Sequence, residues 1–503
     1  MATRKDQLDA FVFARRRMVA NLIAPSPTGS DEAAPRPVKT FFVSAILSAI
    51  AVAGVAVLGV FKPSAPSGWE SGLAVDSSSG AAYVYSPQDK ELHPVLNITS
   101  ARLLLGPNFK KFDVPDNVIN GANITMGAPF GIAGAPPDVP TAGNVDLTQW
   151  TLCLQSQNAA DQTKPGGNTV LEIGYSSDKT VSQSTAFVVH DSSGKDFLVA
   201  GDYAYQVDEK DVINTLTSRQ ADGPWVSDTW LDAFQRGAPL QYPTVADMGA
   251  SLPASLSSQP GQHVGDYGSF TAANGQQAGY IETDSGLVEV SYFAYTLYSA
   301  GPELKKHRNV QEMALKPSDV SAAAPKDEQQ NPVSLINASS NWPQNTMTTL
   351  DTDGVGPAFG VFCTSFSGAF DGDVPHLTLS YGTQLPQPLI VGAGVAQSGA
   401  SSLADLVLVR PGHAALARDV SGGNSQTSGS EYLVTDTGVR YKMPATATIP
   451  GPNGQSTQTS AAKQLQYDNV HVNPVPDNWM QLIQAGAILD PGSAGISPSL
   501  NGG

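Results

Sequence analysis

A run of 21 residues without a charged side chain, residues 41–61, constrains the fold more than any other feature of this sequence. As an α-helix rising about 1.5 Å per residue it would reach about 32 Å, the thickness of a bilayer core. A buried soluble helix is disfavoured because uncharged runs of this length are typical of membrane spans. A cleaved signal peptide is disfavoured because its apolar region has about 7–15 residues after a short basic start. The run therefore predicts a transmembrane anchor.

The charges on the two sides of this run differ in sign. The whole chain has 28 Lys and Arg against 45 Asp and Glu, but residues 1–40 carry a net charge of +3 and residues 62–503 a net charge of −20. The positive excess before the run predicts a cytoplasmic N-terminus and a C-terminal part outside the cytoplasm. The acidic balance argues against nucleic acid as a partner, because affinity for phosphate backbones comes from Lys and Arg.

The segment before the predicted anchor has a helical pattern. Apolar side chains recur with a period close to 3.6 over residues 5–23, which predicts an amphipathic helix, and the Pro-rich stretch 25–38 predicts a flexible tether. Such an apolar face meets either lipid headgroups or another protein, and we favour a cytoplasmic protein partner. The expected docking face consists of Leu8, Phe11, Met18 and Leu22, and the steering charges, expected largely on the other side, are Arg15, Arg16 and Arg17.

The sequence contains two cysteines, Cys153 and Cys363, each surrounded by residues that favour β-strands. An even number outside the cytoplasm favours a disulfide. Two buried free thiols are the alternative. The spacing does not fit a metal site, which would need Cys or His residues close together in sequence.

The C-terminal part contains internal similarities. Residues 226–240 (VSDTWLDAFQRGAPL) and 475–489 (VPDNWMQLIQAGAIL) predict short helices capped by Asp228 and Asp477 and stopped by Gly237 and Gly486. Residues 280–287 (YIETDSGL) and 432–439 (YLVTDTGV) predict tight β-hairpins. Weaker copies of the hairpin lie at 83–96 and 197–207. Four β-rich modules are therefore expected.

Other segments predict a central sheet. Residues 170–175, 186–190, 377–381, 388–396 and 404–410 are short and nearly continuously apolar, as strands buried on both faces are. The predicted fold class is α+β and mostly β: an N-terminal amphipathic helix and a single transmembrane helix precede an elongated periplasmic domain with a central β core and about four repeat modules.

These patterns predict the following division of the chain. Residues 1–40 form the cytoplasmic helix and tether, 41–61 the transmembrane helix, 62–70 a linker, 71–490 the periplasmic domain and 491–503 a flexible tail. Within the domain, modules are expected near 72–110, 190–245, 275–335 and 415–490, core segments near 120–185 and 345–412, and loops at 251–275 and 319–335.

Several of these features together resemble the EccB family of type VII (ESX) secretion systems. They are the start RKDQL, the three successive arginines, a single span near residue 50, the run LHPVLNITSARLLLG at 92–106, one distant cysteine pair, and YLVTDTGVRY at 432–441 followed by the Trp479 helix. The resemblance implies one membrane span, a periplasmic domain with a central β core and four repeats joined by a Cys153–Cys363 disulfide, and assembly with the EccC ATPase, EccD and EccE into a hexameric channel complex.

Some members of that family carry an ATPase label, so enzyme chemistry needs a separate test. A P-loop has the pattern GxxxxGK[ST], but Asp196 follows Gly194 and Lys195, and Val189 stands where the first glycine belongs. GxSxG does not occur, which leaves the commonest serine-hydrolase arrangement unsupported. No catalytic residue or cofactor is predicted.

The remaining polar residues suggest no specific site. The histidines show no HxH or HxxxH spacing, so scattered positions without a metal are expected; they are His93, His190, His263, His307, His376, His413 and His471. Asp351, Asp353, Asp371 and Asp373 fit Asp-Gly turns better than a Ca²⁺ loop. The predicted function is a structural membrane subunit of the secretion machinery. The alternatives are an ATP-hydrolysing subunit and a periplasmic module that binds cell-wall polymers.

Overall fold

The computed structural model describes residues 3–23, 37–60, 65–121, 124–155, 168–176, 180–182, 184–216, 223–323, 335–339, 341–349, 361–382, 385, 395–396, 403–423, 427–450 and 456–498. The chain divides into two compact units. The first comprises residues 1–69, 76–80 and 112–123, and the second comprises residues 70–75, 81–111 and 124–503.

The two longest helices precede all of the strands, and the others are short. The helices are α1 (Arg4–Ile23), α2 (Pro37–Val60), α3 (Ile98–Leu105), α4 (Asp116–Ile119), α5 (Lys210–Leu216), α6 (Asp228–Leu231), α7 (Tyr292–Ala300), α8 (Pro317–Ala322), α9 (Ala461–Gln464), α10 (Asp477–Gln481) and α11 (Pro491–Ala494).

Strands dominate the rest of the described chain. The first fourteen are β1 (Leu73–Asp76), β2 (Ala82–Ser86), β3 (Glu91–Pro94), β4 (Lys111–Val114), β5 (Thr125–Met126), β6 (Trp150–Gln155), β7 (Asn168–Ile173), β8 (Thr185–His190), β9 (Asp196–Ala200), β10 (Tyr203–Val207), β11 (Gln235–Leu240), β12 (Thr244–Val245), β13 (Tyr267–Thr271) and β14 (Gln277–Thr283). The others are β15 (Gly286–Val290), β16 (Leu335–Ile336), β17 (Thr348–Thr349), β18 (Val361–Asp371), β19 (Val374–Gly382), β20 (Val395–Ala396), β21 (Leu406–Val409), β22 (Ala414–Val420), β23 (Glu431–Thr435), β24 (Val439–Met443), β25 (Ala447–Pro450), β26 (Ser456–Thr459), β27 (Asn473–Pro476) and β28 (Gln484–Ala485).

A six-stranded sheet lies at the centre of the second unit, in the order β19-β18-β6-β7-β21-β20. Side chains of successive strand residues point to opposite faces. On β6, Trp150, Leu152 and Leu154 join the largest apolar cluster, whereas Cys153 faces a smaller cluster on the other side. The inner strands β7 and β21 are buried on both faces, whereas β19 at the edge alternates between buried and exposed residues. The predicted α+β, mostly β class is confirmed.

Two further sheets share one pairing scheme. In the sheet β11-β10-β9-β8-β17, β11 runs parallel to β10; in the sheet β27-β22-β23-β24-β28, β28 runs parallel to β24. Trp225 forms a parallel bridge with His190 of β8, just as β27 pairs in parallel with β22. In each sheet, the chain first pairs with the first strand of a three-stranded meander and then forms a short helix that begins at an aspartate. It returns to pair with the last strand of the meander.

All four expected hairpins are present as antiparallel strand pairs. They are β2 with β3, β9 with β10, β14 with β15 and β23 with β24. In the last of these, Gly438 has a φ of +69° at the turn, a conformation that glycine adopts without strain. The hairpins at 83–96 and 197–207, which had the weakest sequence signal, are as regular as the other two.

The structure corrects three expected boundaries. Residues 186–190 lie on β8, outside the central sheet, because they pair with β9. The expected loop 251–275 contains strand β13, which pairs with β14. The expected flexible tail begins with α11, where Pro491 and Ala494 are buried against the apolar cluster that includes Leu103 of α3. An apolar partner from α3 therefore orders residues whose composition suggests a loose tail.

The predicted helix caps and stops are also corrected. Asp228 and Asp477 are the first helical residues, and the N-caps are Ser227, whose hydroxyl accepts from the N–H of Trp230, and Pro476. Gly237 does not end a helix: it lies on β11 opposite Tyr205. A Cβ on Gly237 would lie 2.2 Å from Cδ1 of Tyr205. Glycine is needed at position 237 because the ring of Tyr205 covers the backbone.

The same contact recurs in three sheets. A Cβ on Gly486, directly after β28, would lie 2.5 Å from Cε1 of Tyr441. One on Gly127, directly after β5, would lie 2.3 Å from Cε1 of His93. In every case the covering ring belongs to the third residue of the second hairpin strand. The position accepts tyrosine twice and histidine once.

We expect Gly237→Ala to lower the free energy of unfolding by about 1–3 kcal/mol, because the methyl group would overlap the ring of Tyr205. Gly143→Ala is the matched control, since a Cβ at Gly143 meets no atom within 4 Å. The measurement is the urea midpoint of each purified variant. Equal midpoints for the two variants would show that the ring does not restrict this position.

Candidate functional site

The N-terminal helix presents its apolar side chains without cover in the structure. As expected, α1 extends from Arg4 to Ile23. Its predicted docking residues have exposed fractions of 63% for Leu8, 66% for Phe11, 69% for Met18 and 87% for Leu22. Apolar surface this accessible is available for a partner.

Helix geometry corrects the expected placement of the arginines. Residues four and seven positions apart share a helix face, so Arg15 lies on the same face as Phe11 and Leu8. At about 100° per residue, Arg16 and Arg17 lie roughly 120° and 140° from the centre of the stripe formed by Leu8, Phe11, Met18 and Leu22, so both point largely away from it, as expected. Only the expected placement of Arg15 is thereby corrected, since this residue lies within the stripe of Leu8, Phe11, Met18 and Leu22.

The second helix, α2, contains most of the predicted anchor. It begins at Pro37 and ends at Val60. Phe41, Phe42 and Ile46 on this helix are 70%, 61% and 57% exposed. Within the residues that the structure describes, no helix meets the length and apolarity required to cross a membrane.

The two cysteines form a disulfide, as expected. Cys153 on β6 and Cys363 on β18 are directly paired across neighbouring strands of the central sheet, with their Cα atoms 4.0 Å apart. Both are buried, in an apolar cluster with Val170, Val361 and Leu408. The bond joins positions 210 residues apart, so it links the two halves of the central sheet.

Helix α10 contacts the residues that directly follow helix α6, beside the central sheet. The indole N–H of Trp479 donates to the carbonyl oxygen of Ala233 at 3.0 Å, and the side-chain amide of Asn478 donates to that of Asp232 at 2.6 Å. Trp479 and Trp230 are both completely buried in the largest apolar cluster. This contact connects two segments 246 residues apart in sequence.

A third copy of this helix start is present earlier in the chain. Residues 114–117 read VPDN, identical to residues 475–478, and α4 begins at Asp116 with Pro115 as its N-cap, as α10 does with Pro476. The identical four residues are a signal in the sequence that the two longer matches obscured.

Asp202 connects the second sheet to the central sheet. It lies in the turn between β9 and β10, accepts from the N–H of Leu377 on β19 at 2.5 Å, and is 3.6 Å from the imidazole of His376. Burial raises the pKa of this carboxyl group, although the N–H donor and the imidazole act in the opposite direction. Both neighbours of the Asp202 carboxyl group belong to β19, so this side chain fastens the β9–β10 turn to the central sheet.

The geometry near the only Gly-Lys pair does not resemble a phosphate loop. Gly194 and Lys195 lie in the turn between β8 and β9, where Asp191 accepts from the N–H groups of Ser193 and Lys195 at 2.9 and 2.8 Å. Burial raises the pKa of Asp191, but these donors and the Lys195 charge outweigh it, and the pKa is lowered. The Asp191 carboxylate thus already accepts hydrogen bonds from the backbone N–H groups that a phosphate loop would direct at a phosphate.

An open concavity of about 560 Å³ lies beside the turn between β14 and β15. Asp247 and Asp284 contribute carboxylates to its wall, and Lys or Arg is absent from the described residues that line it. The described lining residues therefore offer no cationic side chain to a phosphate group.

One of the two acidic pairs lies among the described residues. Asp371 and Asp373 flank Gly372 in the turn between β18 and β19, as expected for an Asp-Gly turn. The other expected pair, Asp351 and Asp353, lies outside the described residues.

A further cluster was not expected from the sequence. Asp89, Glu91 and His93 are brought together at the first hairpin, with their ligand atoms within 4.8 Å of one another. Their alternate spacing, i, i+2 and i+4 at the start of a strand, is the signal in the sequence that could have revealed them.

Comparison with known proteins identifies the family. The family model described as "Type VII secretion system ESX-1, transport TM domain B" matches residues 1–498. The chain belongs to the EccB family. The expected family is thereby confirmed over nearly the whole sequence.

Its curated relatives are named as ESX components. An ESX-1 secretion system ATPase EccB1 of Mycolicibacterium smegmatis is 32% identical over 151 residues, 30% of each chain. The protein of that name from Mycobacterium tuberculosis H37Rv is 26% identical over 296 residues, 58% of this chain and 59% of the relative. These matches span less than two thirds of either relative. An ESX-3 secretion system ATPase EccB3 of Mycobacterium tuberculosis is 24% identical over 458 residues, 87% of this chain and 79% of the relative.

Solved structures share the fold. A chain of an intact ESX-5 inner membrane complex has a TM-score of 0.61 at 20% identity, covering 99% of this EccB-family chain and 96% of the other. An EccB3 dimer from the ESX-3 core complex has a TM-score of 0.61 at 24% identity, covering 84% and 99%. The mixed, mostly β architecture is therefore that of EccB proteins.

Proposed function

We propose that this chain is a structural membrane subunit of a type VII (ESX) secretion machine. It anchors the machine and assembles the channel complex through its periplasmic domain. The observation that carries the proposal is the match to EccB over residues 1–498, together with a fold like that of a chain in an ESX-5 inner membrane complex.

The proposed topology has a cytoplasmic N-terminus, one membrane span at residues 41–61 and a periplasmic domain beyond it. Its support is the uncharged run of 21 residues, the positive charge before it and the negative charge after it. A buried disulfide between Cys153 and Cys363 fits the proposal because such bonds persist in oxidising compartments.

Residues 71–490 are proposed to consist of four repeat modules attached to the central sheet. The support is the recurrent hairpin, the helix that follows it, and the glycine beneath the ring in three sheets. The helix start VPDN at 114–117, which repeats residues 475–478, further supports the proposed repeats. A parallel bridge from Tyr267 to Glu312, followed by α8, gives the third module a corresponding arrangement.

The proposed partners are an EccC-type ATPase, EccD and EccE, together with other copies of this chain in a hexameric complex. The docking face of α1 is assigned to the cytoplasmic partners because Leu8, Phe11, Met18 and Leu22 are exposed on it. Self-association through the periplasmic domain is supported by the dimeric EccB3 that shares its fold.

The topology is tested by protease digestion of intact spheroplasts from a diderm host that expresses the full chain. Peptides from 70–490 should be released, and Cys153 should be found joined to Cys363 unless the sample is reduced. Protection of this region, with two free thiols, would invert the topology and remove the basis of the proposal.

Docking is tested by charge substitution on α1. We expect replacement of both Leu8 and Phe11 by Glu to reduce recovery of co-expressed EccC, EccD and EccE subunits at least about tenfold, because each apolar side chain contributes about 1.5–3 kcal/mol when buried. Phe13→Glu is the matched control: Phe13 is 60% exposed but lies on another side of the helix. Equal recovery for both variants would contradict the assigned face, and recovery can be measured by quantitative mass spectrometry.

ATP hydrolysis is the second candidate, because the curated relatives are named ATPases. The Asp191 turn and the acidic concavity disfavour it in this chain. Turnover of ATP by the purified full chain that a point substitution abolishes would reverse this order.

A further inference from the structure

The imidazole of His93 is almost completely buried between a ring and two oxygen acceptors. Its side chain is 4% exposed, and it stacks on Phe130 with ring centroids 3.6 Å apart and planes 7° from parallel. Nδ1 lies 2.7 Å from the carbonyl oxygen of Ala128, and Nε2 lies 2.9 Å from Oδ2 of Asp89. Both ring nitrogens thus face oxygens.

The two acceptors limit what can lie between Nε2 and Asp89. A carbonyl oxygen only accepts hydrogen bonds, so the proton of a neutral imidazole must be on Nδ1, pointing at Ala128. Nε2 would then direct its lone pair at the Asp89 carboxylate, which is repulsive unless a proton or a metal ion lies between them. A histidine whose Nδ1–H donates to a backbone carbonyl is oriented as metal-binding histidines usually are.

A second carboxylate distinguishes a metal ion from a proton. Glu91 lies two residues before His93 on β3, on the same face of the strand, and its oxygen is within 4.8 Å of the other two ligand atoms. Zinc ligands at about 2.0–2.2 Å from the ion lie roughly 3.3–3.5 Å from one another. Asp89 can move outward by the few tenths of an ångström required, because its side chain is 41% exposed in a turn.

Packing alone does not explain a histidine here. In two other sheets the ring over the equivalent glycine belongs to Tyr205 or Tyr441. The first sheet instead has an imidazole flanked by two carboxylates.

We propose that Asp89, Glu91 and His93 bind one divalent transition-metal ion of the Zn²⁺ class, through two carboxylate oxygens and Nε2. Imidazole and carboxylate ligands together suit such ions. The ion would fasten the turn before β3 to the strand itself, and the Ala128 carbonyl would hold the ring in place. The proposal does not depend on the secretion function.

The test is Zn²⁺ binding to the full chain in detergent, measured by titration calorimetry and by the visible spectrum of the Co²⁺ complex. The wild type should bind one equivalent. Glu91→Gln and Asp89→Asn, which keep the side-chain shapes, should each weaken binding by at least about tenfold. His93→Tyr, which retains a ring over Gly127, should abolish it. His471→Gln, at an exposed histidine far along the chain, is the matched control and should bind as the wild type does.

Absence of a bound equivalent in the wild type would overturn the proposal and leave the hydrogen bond between His93 and Asp89 as the whole of the contact. Equal affinity in Glu91→Gln, His93→Tyr and the wild type would also overturn it, since the binding would then be adventitious. Circular dichroism of each variant separates loss of the site from loss of the fold.

Discussion

Replacement of both Cys153 and Cys363 by Ala is expected to lower the free energy of unfolding by about 5 kcal/mol. The bond closes a loop across a sequence separation of 210, and in the chain-entropy model removal of such a constraint gives the unfolded chain this much additional freedom. The measurement is the urea midpoint of the purified full chain, followed by tryptophan fluorescence, which Trp150 on β6 should report.

Reduction provides the control for this prediction. A reducing agent should shift the wild-type midpoint to that of the double variant and leave the double variant unchanged. Cys153→Ala alone should come close to the double variant, because one missing thiol already opens the loop. An unchanged midpoint for reduced wild type would mean that the central sheet holds its two halves together without the bond.

Trp479→Ala should produce the next largest effect, a loss of about 3–5 kcal/mol. Its side chain is completely buried against Phe366 and the central sheet, and removal of a buried aromatic ring leaves a cavity. The loss would include the hydrogen bond to the Ala233 carbonyl, which joins α10 to the residues directly after α6. The urea midpoint again measures it.

Substitution by phenylalanine separates packing from hydrogen bonding. Trp479→Phe keeps a ring but leaves the Ala233 oxygen without this donor, which should cost about 1 kcal/mol beyond the change in volume. Trp230→Phe is the matched control, because the indole N–H of Trp230 is buried without a partner among the described residues. If the two phenylalanine variants lose equal stability, the Trp479 hydrogen bond contributes nothing.

Local patterns were sufficient for the hairpins, for three strands of the central sheet and for α1. The Asp-x-Gly turn specifies the hairpins at 280–287 and 432–439 within about ten contiguous residues, whereas the copies at 83–96 and 197–207 lack that turn and were found from their weaker similarity to these two. Continuous apolar segments predicted β7, β19 and β21. The place of residues 186–190 was not predictable, because an apolar strand fits the central sheet and the neighbouring sheet equally well until its partner, β9, is known.

For the candidate sites, sequence was informative where one residue type has few uses. Two cysteines predicted one disulfide. Gly237 and Gly486 were seen as important and assigned the wrong role, because a glycine signals close approach or a turn without indicating which. The aspartate, glutamate and histidine of the first hairpin were passed over, because the decisive contact comes from Ala128, 35 residues further along the chain.

The sequence by itself determined the uncharged segment at 41–61, the helix before it, the four hairpins and the EccB family, because each depends on contiguous residues or on a resemblance across the whole chain. Only the tertiary structure decided which rings cover Gly127, Gly237 and Gly486, that α11 is buried beside α3, and that His93 faces two acceptors. These are contacts between distant segments. Their energies depend on which surfaces meet when the chain folds, and one-dimensional periodicity does not contain that information.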